Sequence, residues 1–273
     1  MNIFFSRYKD WLGDKFEGLE SFENLPVSIR VNTLKIKERD LIRRLEKKGV
    51  EFAKLDFVKC GYKVIKSDFS MGAINEYLQG YYYIQEGASQ YPVQLLNPLP
   101  GEIVLDMAAA PGGKTTQLSQ WMRNKGVVVA LDMKTKRLEA LRNNCARLGA
   151  SNVVIYNKDA RFVSDLGIKF DKIILDAPCS GNFVTDKNWL QKRTLEDFKH
   201  KSKIQKQLLQ ESLNVLKKGG EMVYSTCSFE IEEDEENISW LKDNFEVEII
   251  EQKKFWPHID GTQGFFVAKV KKL

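Results

Sequence analysis

Ile103-Val104-Leu105-Asp106-Met107-Ala108-Ala109-Ala110-Pro111-Gly112-Gly113-Lys114-Thr115-Thr116 carries the pattern from which the architecture follows. A short apolar run ends on an acid, a turn of small residues follows, and a helical pattern runs from Lys114 to about Met122. Downstream the alternation repeats. Val127–Leu131 reads as a strand ending at Asp132. Lys134–Leu148 then places Leu138, Leu141, Cys145 and Leu148 on one helix face. Asn152–Tyr156, Lys172–Leu175 and Glu221–Tyr224 read as three more strands, and a long helix from Leu195 to Leu216 precedes Gly219-Gly220. Strands alternating with helices predict an α/β fold, a mostly parallel sheet covered on both faces. Val247–Ile250 and Phe265–Val270 have no helix between them, so the sheet is expected to close with an antiparallel pair.

Upstream of this unit the pattern changes. Residues 1–75 read as a small α+β region: a strand at Val27–Asn32, an amphipathic helix at Glu38–Lys48 ending at Gly49, and short strands at Phe52–Phe57 and Tyr62–Ile65. Residues 76–100, with Pro92, Pro98 and Pro100, read as a linker, which leaves 101–273 as the larger domain.

The composition is that of an ordinary globular chain: 43% apolar and 29% charged over 273 residues. No apolar run approaches the roughly 20 residues of a membrane-spanning helix, and Arg7, Lys9 and Asp10 break any leader-like pattern at the start. Cys60, Cys145, Cys179 and Cys227 form no Cys-x-x-Cys pair, and there are only two histidines. Neither a disulfide framework nor a metal site is expected, and a reducing cytoplasm is. The net charge of +5 permits a polyanionic partner. It is unevenly spread: residues 182–218 carry 9 Lys/Arg against 4 Asp/Glu, whereas 228–251 carry 1 against 10. The acidic run Glu232-Glu233-Asp234-Glu235-Glu236 reads as the solvated first turn of a helix.

Two chemistries compete for the loop after the first strand. Ala108-x-x-x-x-Gly113-Lys114-Thr115 narrowly misses a phosphate-binding loop, and Lys172-Ile-Ile-Leu-Asp176 could supply a magnesium aspartate, as in a P-loop ATPase. The alternative is a nucleoside cofactor at the crevice beyond the strand ends. Acids decide between them. Asp106, Asp132 and Asp159 end or follow successive strands, and they would repel a triphosphate but not a cationic sulfonium cofactor. Asp132 lies 19 residues past Gly113, close to the spacing at which an acid holds a ribose diol. S-adenosylmethionine fits better than ATP.

Cys179, in Asp176-Ala-Pro-Cys179-Ser-Gly, and Cys227, in Tyr224-Ser-Thr-Cys227-Ser, sit on polar turns beyond strands and face the same crevice. Cys60 and Cys145 read as packing residues. Two cysteines, an aspartate and a methyl donor suggest methylation of cytosine carbon 5. A thiolate adds to carbon 6, carbon 5 becomes nucleophilic, and a carboxylic acid near N3 assists. From the residues alone either cysteine could attack.

In this combination the chain resembles the NOL1/NOP2/Sun RNA (cytosine-5-)methyltransferases. The resemblance rests on Arg30-Val-Asn-Thr-Leu34, Gln85–Gln90, Ala108–Lys114, Asp176–Gly181, Leu216–Gly220, Tyr224–Ser228 and Gly264–Ala268, spanning about residues 28–270. It implies a Rossmann-like methyltransferase domain with a seven-stranded sheet and an RRM-like N-terminal domain. It further implies that Cys227 attacks, that Cys179 helps resolve the adduct, and that Asp176 contacts the base beside the cofactor's methionine part. The loop of Ala108, Ala109, Ala110, Pro111, Gly112, Gly113 and Lys114 would hold that methionine end. Asp132 would take the ribose, Asp159 the adenine amine, and Arg137 would line the site. The chain departs from the family at Asn182-Phe-Val-Thr-Asp-Lys-Asn-Trp189, where many members carry Arg and Pro. The N-terminal part lacks the aromatic signature of RNA-stacking sheets. As a compact member it is expected to act on tRNA, as a cytoplasmic monomer. Ribosomal RNA is the runner-up substrate, and a non-catalytic RNA-binding module is the further alternative.

Overall fold

The computed structural model describes residues 3–20, 22 and 25–273. After α1 (Ile3–Leu12) the chain forms β1 (Ser28–Val31), α2 (Glu38–Glu46), β2 (Glu51–Lys54), β3 (Gly61–Lys66), α3 (Asn75–Leu78) and β4 (Tyr82–Ile84). These strands make an antiparallel sheet in the order β2-β3-β1-β4 over a core of Ile29, Val31, Leu41, Leu45 and Tyr82.

Two parts of the sequence reading change here. The segment read as a linker is folded: β4 pairs Tyr82 with Val31 and Ile84 with Ile29. Beyond it, α4 (Tyr91–Leu96) lies against the larger sheet. A three-residue strand is too short for alternation to reveal it. Conversely α1 does not join the small sheet. Its Phe4 and Tyr8 pack with Trp189, Phe198 and Phe229 of the larger half.

The remainder alternates as expected: β5 (Ile103–Asp106), α5 (Gly113–Trp121), β6 (Val127–Asp132), α6 (Thr135–Leu148), β7 (Val153–Asn157), β8 (Phe170–Asp176), α7 (Trp189–Lys192), α8 (Leu195–Val215), β9 (Leu216–Thr226), α9 (Glu235–Asn244), β10 (Val247–Phe255), α10 (Pro257–Asp260) and β11 (Phe265–Lys272). The seven strands run β10-β11-β9-β8-β5-β6-β7, parallel except for β11 against β9 and β10. Because side chains alternate across a strand, each central strand feeds two cores. Val104, Val128, Ile174 and Val223 face α4 and α5. Leu105, Val129, Ile173 and Met222 face α8 and α9. Helix α8 stops at Val215 and β9 starts at once, so Gly219-Gly220 lies inside the strand and does not cap the helix.

The acidic run is not a solvated turn. Only Glu235 and Glu236 fall in the first turn of α9, whereas Glu233 and Asp234, like Glu230 upstream, are 0% exposed. Among the described residues no helix is long and apolar enough to cross a membrane.

Candidate active site

Strand order reverses beside β5: β6 and β7 lie on one side, β8 and β9 on the other. The turns after β5, β6, β8 and β9 therefore border one crevice at the carboxyl edge of the sheet, where open α/β sheets bind ligands.

The turn after β5 is built on its own acid. Asp106 is buried; its carboxylate accepts a 2.7 Å hydrogen bond from the Thr115 hydroxyl and one from Ala108 N–H at 3.3 Å. Burial raises its pKa to about 6. It ties the start of α5 back to the strand and so fixes the loop from below. Gly112, at φ +110°, caps α5 with no side chain bonded to the first amides, and these are donors for a ligand. A Cβ on Gly112 would stand 3.0 Å from Leu141.

Over the loop lies a cavity of about 240 Å³, lined by Tyr83, Gln85, Glu86, the residues Ala108–Pro111, Lys114 and Asp176. The Lys114 ammonium pairs with Asp176 at 2.7 Å, and the other Asp176 oxygen accepts from Ser225 Oγ at 2.8 Å. The loop after β5 and the turn after β8 are thus joined at one carboxylate. On the β6 side, Asp132 is buried; it accepts from Lys134 N–H at 2.9 Å and pairs with Arg137 at 3.1 Å. Arg137 also donates to the Ala110 carbonyl, which places Arg137 at the loop. Asp159 stands apart from this cluster. It caps the next turn and is held by Arg161 at 2.6 Å, an interaction that lowers its pKa.

The turns after β8 and β9 are adjacent because Asp176 and Ser225 are register partners. They bring Cys179 and Cys227 to 3.0 Å between sulfurs, both partly accessible. The hydrogen bond to Cys227 first, then burial, holds the Cys179 thiol well above its ordinary range. Buried Asn182 donates to the Cys227 carbonyl at 2.7 Å and to that of Gln263 at 3.1 Å, so the variant loop after Cys179 braces the turn carrying Cys227. Cys145 packs with Leu138 and Leu141, and Cys60 lies in the small domain with its pKa pushed up to about 12 by burial.

Sequence reasoning missed two residues that organise this site. Arg30 reaches from β1 to the Gly113 carbonyl at 2.7 Å, and its motif was visible without a role. Glu233 lies beneath both cysteine turns, and within a run of acids nothing marked it as different. Among the described residues no group of three or more His, Cys, Asp and Glu is placed to hold a metal ion.

Most of the chain is similar to known methyltransferases. Residues 93–271 match the family model described as 16S rRNA methyltransferase RsmB/F, and residues 2–87 match the N-terminal domain of 16S rRNA methyltransferase RsmF. The chain is 36% identical to the 26S rRNA (cytosine-C(5))-methyltransferase nsun-1 of Caenorhabditis elegans, over 97% of its own length and 47% of that protein. It is 34% identical to the tRNA (cytosine(72)-C(5))-methyltransferase of Pyrococcus horikoshii, over 87% of its length and 68% of the relative. The crystal structure of NSun6 from Pyrococcus horikoshii with SFG, an S-adenosylmethionine analogue, superposes with a TM-score of 0.89 at 27% identity, covering 98% of this chain and 97% of that one. The chain spans about half the length of several curated relatives it matches.

Proposed function

We propose, for a chain that belongs to the RsmB/F family of 16S rRNA methyltransferases, that it methylates carbon 5 of cytosine in RNA, with S-adenosylmethionine as cofactor. The observation that carries the reading is the pair Cys179–Cys227 at 3.0 Å, beside an Asp176 that is ion-paired to Lys114 of the cofactor loop. A P-loop ATPase would need that lysine for phosphate, and the acids Glu86 and Asp176 line the same cavity.

When bound, S-adenosylmethionine supplies an electrophilic methyl group. The amides at the start of α5 and the Ala108–Lys114 loop would take its methionine part, Asp132 with Arg137 its ribose, and Asp159 its adenine amine once Arg161 releases it. The protein's own work is on the base. The Cys227 sulfur forms a bond to carbon 6 as the carbon 5–carbon 6 π bond breaks, and the Asp176 carboxyl, carrying a proton, donates it to N3, which takes up the displaced electron pair. Carbon 5 is then nucleophilic enough to take the methyl group. The carbon 5 proton then passes to Cys179, the carbon 5–carbon 6 π bond re-forms, and the carbon 6–sulfur bond breaks to return the ring and the Cys227 thiolate, which is how Cys179 assists release.

Transfer RNA is the substrate we favour, since the tRNA-directed relative is matched over 68% of its length and the rRNA-directed relatives over 36% to 60% of theirs. We further propose that the enzyme acts as a monomer in the cytoplasm. Bisulfite sequencing of RNA from cells with and without the gene names the substrate, and an unchanged map of 5-methylcytosine refutes the activity. On a denaturing gel, Cys179→Ala should accumulate a protein–RNA complex and Cys227→Ala should not. ATP hydrolysis by a protein that does not bind S-adenosylmethionine would overturn the reading.

A further inference from the structure

Glu233 is a buried carboxylate with four donors and no ion-pair partner among the described residues. Its oxygens accept from Ser180 N–H at 3.1 Å, from the Ser180 hydroxyl, from Ser228 Oγ at 3.0 Å and from Gln205 Nε2 at 2.7 Å. Ser180 directly follows Cys179, and Ser228 directly follows Cys227. Gln205, from α8, also donates to the carbonyl of Pro178, on the other side of Cys179. One carboxylate therefore holds the turn after β8 and the turn after β9 by the residue next to each sulfur.

Its own position is fixed from below. The Glu233 carbonyl accepts from the Tyr224 hydroxyl at 2.6 Å and from Asn237 Nδ2 at 2.9 Å, and Asn237 in turn donates to Gln205 at 2.8 Å. Burial leaves the pKa of Glu233 raised above the usual carboxylate value, and its hydrogen bonds offset only part of that. An ionised carboxylate is acceptor-only, which matches two hydroxyls, one backbone amide and one carboxamide. Its charge is a further cause of the raised pKa of Cys179.

We propose that Glu233 is a positioning residue for both cysteines, the tie that sets their separation and so couples attack at one sulfur to release at the other. The inference rests on the methyl-transfer reading above. It goes beyond that reading by assigning the site's geometry to a residue that touches neither base nor cofactor. The serines divide the tie into two halves. Ser180 carries the half that positions Cys179, and Ser228 the half that positions Cys227.

The test is single-turnover kinetics on cytosine-containing RNA, with formation and resolution of the covalent complex measured separately. Glu233→Gln keeps the volume but replaces one acceptor oxygen with a donor that faces other donors. It should bind S-adenosylmethionine within about threefold of wild type while slowing both steps by about 10²-fold, as a misplacement on the order of 1 Å does. Ser180→Ala should slow resolution and spare formation, and Ser228→Ala should do the reverse. A purely structural Glu233 would change the melting temperature and leave the two rate constants of the folded enzyme alone. Wild-type rates for both steps in Glu233→Gln overturn the proposal. If that variant does not fold, the serine pair decides, and wild-type rates in both serine variants overturn it equally. A wild-type enzyme that forms neither complex nor 5-methylcytosine refutes the methyl-transfer reading instead.

Discussion

Arg30→Met tests how the small domain supports the cofactor loop. Arg30 is 1% exposed and has no carboxylate partner among the described residues. Its guanidinium donates to Gln85 Oε1, to the Gly113 carbonyl at 2.7 Å, to Gln117 Oε1 at 3.3 Å and to Thr116 Oγ1 at 2.9 Å, and lies over the Tyr83 ring at 5.5 Å. Burial lowers its pKa to about 9. Methionine fills much of the volume but donates nothing. Gln85 Oε1 is then stranded, at a cost of about 1–3 kcal/mol, and three further charge-assisted bonds are lost. Against this, a guanidinium no longer has to be desolvated, so the sum falls well short of the gross hydrogen-bond energy. A net loss of about 2–3 kcal/mol is expected, or roughly 5–10 °C in melting temperature for a chain of this size. The Gly113 carbonyl belongs to the first turn of α5, so S-adenosylmethionine should bind about tenfold more weakly, equivalent to about 1.4 kcal/mol. Calorimetry gives the first number and titration the second. Arg30→Lys should recover less than half of either, because a point charge cannot span acceptors on both sides. Wild-type melting and wild-type cofactor affinity in Arg30→Met would show that this network does not support the loop.

Two more predictions concern the acidic segment and the turn beside it. Burial holds the Glu230 proton to about pH 7, against an ordinary value of 4.5. The associated stability is full below pH 4.5 and is lost as pH rises through about 7, up to about 3 kcal/mol. Wild type should therefore lose stability relative to Glu230→Gln between pH 5 and pH 8 in urea titrations, and parallel curves would count against the burial argument. Gly264, at φ +85°, leaves no room for a side chain, since a Cβ there would lie 2.1 Å from Phe229. Gly264→Ala should cost about 2–4 kcal/mol by combined strain and overpacking, and an unchanged urea midpoint would contradict that packing.

The parts of the fold that could be read in advance were those with a local signal. Strands β5, β6, β8 and β9 are short apolar runs bounded by turns, and each splits its residues between two cores, so the run itself marks the strand. Helix α6 shows its buried face as Leu138, Leu141, Cys145 and Leu148. By contrast β4 is three residues long and exists because β1 offers it an edge. Helix α1 belongs with Trp189 and Phe229, far away in sequence, and nothing within residues 1–75 reveals that.

The candidate site divides in the same way. The residue types and their placement at strand ends were enough to expect a nucleoside cofactor, a thiol nucleophile and an assisting carboxylate, because those chemistries need particular groups on particular turns. Which acids are solvated is not a local property. Glu233 and Glu236 are indistinguishable as letters, yet one is buried beneath the two cysteine turns and the other is exposed in the first turn of α9. The alternating sheet, the loop after its first strand and the two cysteine turns are all legible residue by residue. That the two sulfurs meet at 3.0 Å, that Arg30 reaches across to α5, and that one carboxylate holds both turns emerges from the folded chain. Periodicity is set by neighbours along the chain, whereas burial, charge pairing and distance are set by whatever folding brings alongside.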